Sequence, residues 1–286
     1  MNNIGGKNMK EKTFGIFVSV IVISTIITPV VATTESHDFM EYNIDLPVWG
    51  VGDEWTYHFI ESVTGFLTYS LSGDLTLKII EDSGESYVLE GTTKPQGTFT
   101  LIGSLGLKTT MLTSLTMKLH MRKSDLGLEY FSERLKGIFL FKIGPFTLPI
   151  PIHADLNIEV EFEPTWVIMP FPLYDGKYGN LSSSEFWHTN NYIRLFWGMI
   201  PIIGPMNVSW PITQVPYTCY TEELTVDAGT FNVCNISAEW MDGSRFVSYY
   251  AEDVGNAAKE LIYLPHGMGP VERFLILELK NYSYSP

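Results

Sequence analysis

The nine residues Ser114–Arg122 read "SLTMKLHMR". Leu115, Met117, Leu119 and Met121 alternate with Ser114, Thr116, Lys118, His120 and Arg122. A two-residue period carries one set of side chains to one face of an extended chain and the other set to the opposite face. In a helix the same apolar residues would spiral around every side, so the stretch reads as a strand with one buried and one wet face. The pattern recurs on either side. Leu71, Gly73, Leu75, Leu77 and Ile79 alternate with Ser72, Asp74, Thr76 and Lys78, and Ala154, Leu156, Ile158, Val160 and Phe162 with Asp155, Asn157, Glu159, Glu161 and Glu163. Further strands are expected at 85–93, 127–134, 137–143, 217–226, 230–240, 244–251 and 271–280. Turn chemistry separates several of them, as at Asp82-Ser-Gly, Pro95-Gln-Gly, Asp125-Leu-Gly and Asp242-Gly.

Alternation of this kind suits antiparallel strands with one solvated face. Strands as long as 107–122 favour a bent sheet over a sandwich of short strands. The expected fold is therefore mainly β: a strongly curved antiparallel sheet or open half-barrel, with one or two short helices and long apolar loops. One helix is expected at 185–197, in "SSSEFWHTNNYIRLFW", where Ser184 offers an N-cap. Asp253–Leu261 suits a short helix, although Gly255 argues equally for a turn.

The chain has 286 residues. It begins with Lys7, Lys10 and Lys12 ahead of the apolar run "FGIFVSVIVISTII" and the small-residue stretch ending at Ala32. Residues 1–32 are expected to be a signal peptide or an N-terminal membrane anchor. Either one exports the rest across the cytoplasmic or endoplasmic-reticulum membrane, to be secreted or held by the N-terminal segment. A linker is expected at 33–45, and a single β-rich extracytoplasmic domain over 46–286.

The whole chain carries 18 basic and 32 acidic side chains. Residues 1–32 hold three of the lysines and one glutamate, which leaves 15 and 31 and a net charge near −16 for the remainder. Such a surface repels a phosphate backbone, which argues against nucleic acid as a partner.

The middle of the domain, about 137–216, is apolar yet rich in proline: "IFLFKIGPFTLPIPI", "PTWVIMPFPLY" and "LFWGMIPIIGPMNVSWP". Proline removes a backbone donor and interrupts both helix and ladder. An apolar insertion of this size is either ordinary core capping an open sheet or the lining of a hydrophobic ligand site. In the second reading Phe139, Phe146, Trp166, Phe171, Trp197 and Trp210 line the site.

No catalytic constellation is visible. No two of the six histidines lie at metal-ligand spacing, and neither a nucleophile elbow nor a phosphate-cradling loop occurs. The expectation is a protein that is not an enzyme, with no cofactor and no metal site. Glu159, Glu161 and Glu163 share a face, which reads better as a solvated edge than as a calcium site.

Cys219 and Cys234 are the only cysteines, and in an oxidising compartment such a pair forms a disulfide. Asn180, Asn207, Asn235 and Asn281 each begin an Asn-X-Ser sequon, a candidate glycosylation site. Cysteine and sequon meet in "VDAGTFNVCNIS", Val226–Ser237. Gly229 suits a type I turn with a bulge, which pairs Val226 with Thr230. That register sets Glu222 opposite Cys234, three residues or roughly 10 Å from Cys219 and beyond the ~7 Å reach of a disulfide. The bond then requires another bulge, a bend near Cys219 or a different strand neighbour.

Three segments, "VWGVGDEWTYHF", "TVDAGTFNVCNI" and "SYYAEDVGNAAKELIY", occur in an order that resembles exported bacterial and archaeal proteins of the LolA-like lipoprotein-carrier superfamily. Gly229-Thr230-Phe231 and Val254-Gly255 are the most recognisable points. The resemblance covers about a quarter of the chain, and the Pro-rich stretch 137–216 has no counterpart in it. It implies a curved antiparallel sheet around an apolar cavity and the binding or transport of an apolar molecule outside the cytoplasm, and it names no catalytic residue. The leading expectation is a non-enzymatic carrier of a lipid or other hydrophobic ligand. The alternative is a cell-surface structural or protein-interaction glycoprotein without a small-molecule ligand.

Overall fold

The structure is a computed structural model describing residues 43–64, 67–101, 107–142, 150–167, 169–182, 186–189, 192–195, 200–201, 206–209, 214–239, 243–265 and 272–285. For parts of the strands, Phe139 and Asn207 among them, the description covers backbone course and pairing alone. The strands are β1 Asn43–Ile44, β2 Glu54–Thr64, β3 Leu67–Asp82, β4 Ser86–Thr93, β5 Gln96–Leu101, β6 Leu107–Arg122, β7 Gly127–Lys142, β8 Ile150–Val167, β9 Leu173–Tyr174 and β10 Tyr178–Ser182. They continue with β11 Phe186–Thr189, β12 Tyr192–Leu195, β13 Ile200–Pro201, β14 Met206–Ser209, β15 Gln214–Val226, β16 Gly229–Glu239, β17 Arg245–Ala251, β18 Asn256–Leu264 and β19 Glu272–Ser283. Among the described residues the only helical element is a 3-10 turn at Glu252–Val254.

The pairing is antiparallel throughout. It runs from β10 through β15, β16, β17, β18 and β19 to β2 and β3, then through β4 and β5 side by side to β6, β7 and β8. Beyond β8 lie β11 and β12, flanked by β14 and β13. The sheet is open and does not close into a barrel. Its curvature follows from connectivity. β10 and β11 lie toward opposite ends of the order, and in a flat sheet roughly 60 Å would separate them. Ser182 and Phe186, four residues apart, span at most about 14 Å. The sheet must therefore bend most of the way around.

The opening strand behaves as its alternation predicts. Leu115, Met117, Leu119 and Met121 are buried, while Ser114, Thr116 and Lys118 are exposed. The buried face joins Trp55, Tyr57, Phe59, Leu75, Ile79, Phe131, Val160, Phe162, Leu275, Leu277 and Leu279 in one core. A smaller core holds Ile44, Met169, Leu173, Leu181, Val215, Tyr217, Ile236, Tyr250 and the cysteines, with Phe171 packed against both. Ile44 belongs to the expected 33–45 linker, yet β1 pairs with β9 and Ile44 is buried.

Several expectations are corrected. The helix expected over 185–197 is replaced by β11 and β12, which pair along β8. Phe186–Thr189 and Tyr192–Leu195 extend because β8 offers them a ladder, and tertiary pairing overrides the local signal. Asp253–Leu261 supplies a 3-10 turn closed by Gly255 and then β18. Much of the expected loop region 137–216 is strand, including the 18-residue β8. Pro151 and Pro216 are paired on one side only among the described residues, opposite Leu140 and Asn180, where a missing donor costs one ladder least. Pro164 falls where the β7–β8 register jumps from Tyr130↔Glu161 to Leu128↔Trp166. Glu159, Glu161 and Glu163 do not mark an edge, since β8 is flanked by β7 and by β11 and β12.

The hairpin closes one residue tighter than expected. Val226 pairs with Gly229 across a two-residue turn, Asp227–Ala228, with Gly229 at φ 143°. A one-residue slip moves every side chain of one strand relative to the other's faces. Thr221 now stands opposite Cys234 and Ile236 opposite Cys219, so the cysteines are diagonal neighbours on one buried face. Their Cα atoms lie 6.0 Å apart and the disulfide Cys219–Cys234 is formed without a further bulge.

Candidate functional site

At one end of the sheet, the segments quoted for the family resemblance close the core with hydrogen bonds. The Trp49 indole donates to the Gly255 carbonyl at 2.8 Å, the Trp55 indole to the Val254 carbonyl at 2.8 Å, and the Tyr57 hydroxyl to the Ala257 carbonyl at 2.9 Å. Ala228 N–H donates to the Leu279 carbonyl at 3.1 Å. Gly255 has φ 66°, and a Cβ there would stand 2.5 Å from the Tyr284 ring. These motifs form a packed floor.

Above the floor the inner face becomes polar. On β2 the inward series Trp55, Tyr57, Phe59 ends at Glu61. On β19 the series Leu279, Leu277, Leu275 ends at Arg273, and on β7 Phe131 is followed by Glu133. All three charged residues are essentially excluded from solvent, at 0 %, 3 % and 2 % exposure for Glu61, Arg273 and Glu133. Arg273 Nε donates to Glu61 Oε1 at 2.9 Å, and Nη2 lies 2.8 Å from the same oxygen. Among the described residues, Nη1 of Arg273 and Oε2 of Glu133 have no hydrogen-bond partner.

Burial and then the neighbouring Glu61 charge push the Glu133 carboxyl well above the usual carboxylate range, while Arg273 opposes the rise. β7 is separated from β2 in the pairing order by β3, β4, β5 and β6. Glu133 nevertheless feels both Glu61 and Arg273. The curl therefore brings opposite walls of the sheet together at this layer. From Glu133 to Lys142, β7 runs on for roughly 30 Å past it.

A second acid sits on the same face. Glu260 lies between Ala258 and Ile262 on β18, and burial pushes its carboxyl up to about 7, tempered by Ser248 beside it. Tyr57 lies near it, and burial, then Glu260, raises its phenol. Elsewhere, buried Lys177 donates to the carbonyls of Pro170 and Pro172 at 2.5 Å each, and burial lowers its ammonium to about 8. This clamp holds the 169–177 segment against the smaller core.

Of the residues expected to line a ligand site, Trp166 is fully buried in the main core with its ring 4.8 Å from Phe162. Phe171 is half-buried between the two cores, its ring edge-on to Tyr250 at 5.0 Å. Phe139 lies on β7 between Met111 and Ile152. Phe146, Trp197 and Trp210 lie outside the described residues. Asn180 and Asn281 are exposed, and Asn207 is on β14. Asn235 is half-buried on the outward face, donating to Glu222 at 2.6 Å.

The inward ion cluster was missed by reasoning that sought only apolar lining and known motifs. Its signal was present: Glu61, Glu133, Glu260 and Arg273 each occupy the apolar phase of an alternating strand, where a charge must find a partner or change its protonation. Among the described residues, no group of three His, Cys, Asp or Glu side chains is placed to hold a metal ion. No helix among them is long and apolar enough to cross a membrane, and residues 1–32 lie outside the described part.

No protein-family model matches the chain, and no curated protein matches it. Among solved structures it is similar to a beta-barrel-like protein of a domain of unknown function (DUF1849) from Brucella abortus, at 9 % identity and a TM-score of 0.34, covering 84 % of this chain and 100 % of that one.

Proposed function

We propose that the protein is an extracytoplasmic, non-enzymatic carrier or binding protein for a lipid or other hydrophobic ligand, as the LolA-like resemblance implies. The observation that carries this reading is the inner face of the curled sheet. An apolar floor gives way to a buried polar layer with unspent hydrogen-bonding groups, and the long strands continue past it. Such a boundary offers an amphiphile both an apolar wall and a polar contact. The disulfide agrees with a location outside the reducing cytoplasm. In this reading residues 1–32 deliver the domain and, if retained, hold it at a membrane.

The second reading, a surface structural or interaction glycoprotein, draws support from Trp166, which is fully buried in the main core, and from the exposed sequons at Asn180 and Asn281. Native mass spectrometry and solvent extraction of the purified protein separate the two. The carrier reading expects an apolar molecule recovered in near-stoichiometric amount. A protein that stays empty after incubation with a total lipid extract overturns it.

A further inference from the structure

We infer that Arg273, braced by Glu61 and faced by Glu133, is the anchor for the uncharged, oxygen-bearing head group of an amphiphile, a glycerol ester being the simplest example. The inference rests on the carrier reading and names the polar half of its ligand. Arg273 turns Nε and Nη2 toward Glu61 Oε1, which leaves Nη1 without an acceptor among the described residues although the residue is buried. Charged donors left unmatched away from water cost more than neutral ones, so the site gains from any molecule that brings acceptor oxygens. Glu133 Oε2 adds a second unmatched polar atom from the opposite wall.

Charge selects among heads. Glu61 and Arg273 pair as opposite charges at 2.8 Å, and burial favours the neutral form of the Glu133 carboxyl. A free carboxylate or phosphate would leave one uncompensated charge in the interior, which is costly. An ester carbonyl or a hydroxyl satisfies the guanidinium without adding charge, and a hydroxyl also donates to Glu133. Position fits as well, since the apolar floor lies on one side of the layer and the continuing strands on the other.

The test uses the full chain with monoolein, oleate and 1-octadecene, each displacing Nile red, a neutral apolar dye. Monoolein is expected to bind about ten- to a hundredfold tighter than octadecene, the range one or two charge-assisted hydrogen bonds supply, and tighter than oleate. The paired variant Glu61→Gln with Arg273→Met removes both charges together, so no lone ion is left buried. It is expected to keep Nile red and octadecene binding and to lose the monoolein preference. Glu133→Leu, which leaves the ion pair intact, is the second variant and is expected to weaken monoolein severalfold. Nile red binding reports that each variant is folded.

A monoolein-to-octadecene ratio unchanged in both variants, or a preference for oleate, overturns the head-group inference and leaves the carrier reading standing. An ordered water on Nη1 in protein saturated with monoolein overturns it as well. Failure of all three probes and of the dye to bind overturns the carrier reading itself.

Discussion

A single glycine shows how local geometry and distant packing meet. Gly255 ends the 3-10 turn in the left-handed region, where its carbonyl accepts the Trp49 indole and its missing Cβ makes room for Tyr284. Any other L-residue pays about 1–2 kcal/mol for that backbone conformation, and here its Cβ also collides with a ring. Gly255→Ala is expected to lower stability by about 2 kcal/mol or more, read from the urea midpoint at constant m. In a Tyr284→Ala background the penalty should shrink toward the backbone cost of about 1–2 kcal/mol. An undiminished penalty there means the ring is not the obstacle. The turn at Val254-Gly255 was legible in the sequence, because glycine amid strand signals marks an unusual backbone. Tyr284 was not, because nothing local ties it to that turn.

At the scale of the element, the β15–β16 hairpin separates what a pattern reveals from what it leaves open. Alternation in Cys234, Ile236 and Ala238 showed which residues share a face. Loop length was undetermined, because Gly229 suits a two-residue turn as well as a bulged one, and one residue decides whether Cys219 meets Cys234. The pairing Val226↔Gly229 places the two cysteines diagonally on the buried face. A bond closing a loop with a separation of 15 residues stabilises by about 3 kcal/mol in the chain-entropy account. Replacing both cysteines by alanine is expected to lower the unfolding free energy by about that amount while retaining the strand signature in circular dichroism. Peptide mapping without reductant should recover one linked pair, and two free thiols would refute the pairing. The helix misread at 185–197 has the same origin. Its residues become strands only because β8 runs beside them, a fact of the sheet and not of the segment.

For the whole molecule, the sequence revealed a curved antiparallel sheet but not the layer inside it. Glu61, Glu133, Glu260 and Arg273 sit on four strands and come from distant parts of the chain, so only the curl shows that Glu133 faces Glu61 and Arg273. That layer has a consequence for stability against pH. Glu133 and Glu260 both have carboxyl groups raised in the fold, Glu260 to about 7. Between the unfolded value near 4.5 and the folded value, the native protein holds protons that the unfolded chain has released. Stability from these groups is therefore complete below about pH 4.5 and lost as pH rises through the folded values. Glu260 alone accounts for at most about 3 kcal/mol. Asp74 and Asp82, lowered chiefly by bonds to Lys280 and Lys123 respectively, act in the opposite sense at more acidic pH, and their exposure keeps that effect small. The unfolding midpoint in urea should thus be higher at pH 5 than at pH 8. Glu260→Gln should flatten the slope between them, raising stability at pH 8 relative to the parent, and adding Glu133→Gln should flatten it further. A midpoint that rises from pH 5 to pH 8 in the parent protein, or a slope that survives both substitutions, would show that these carboxyls do not govern the interior.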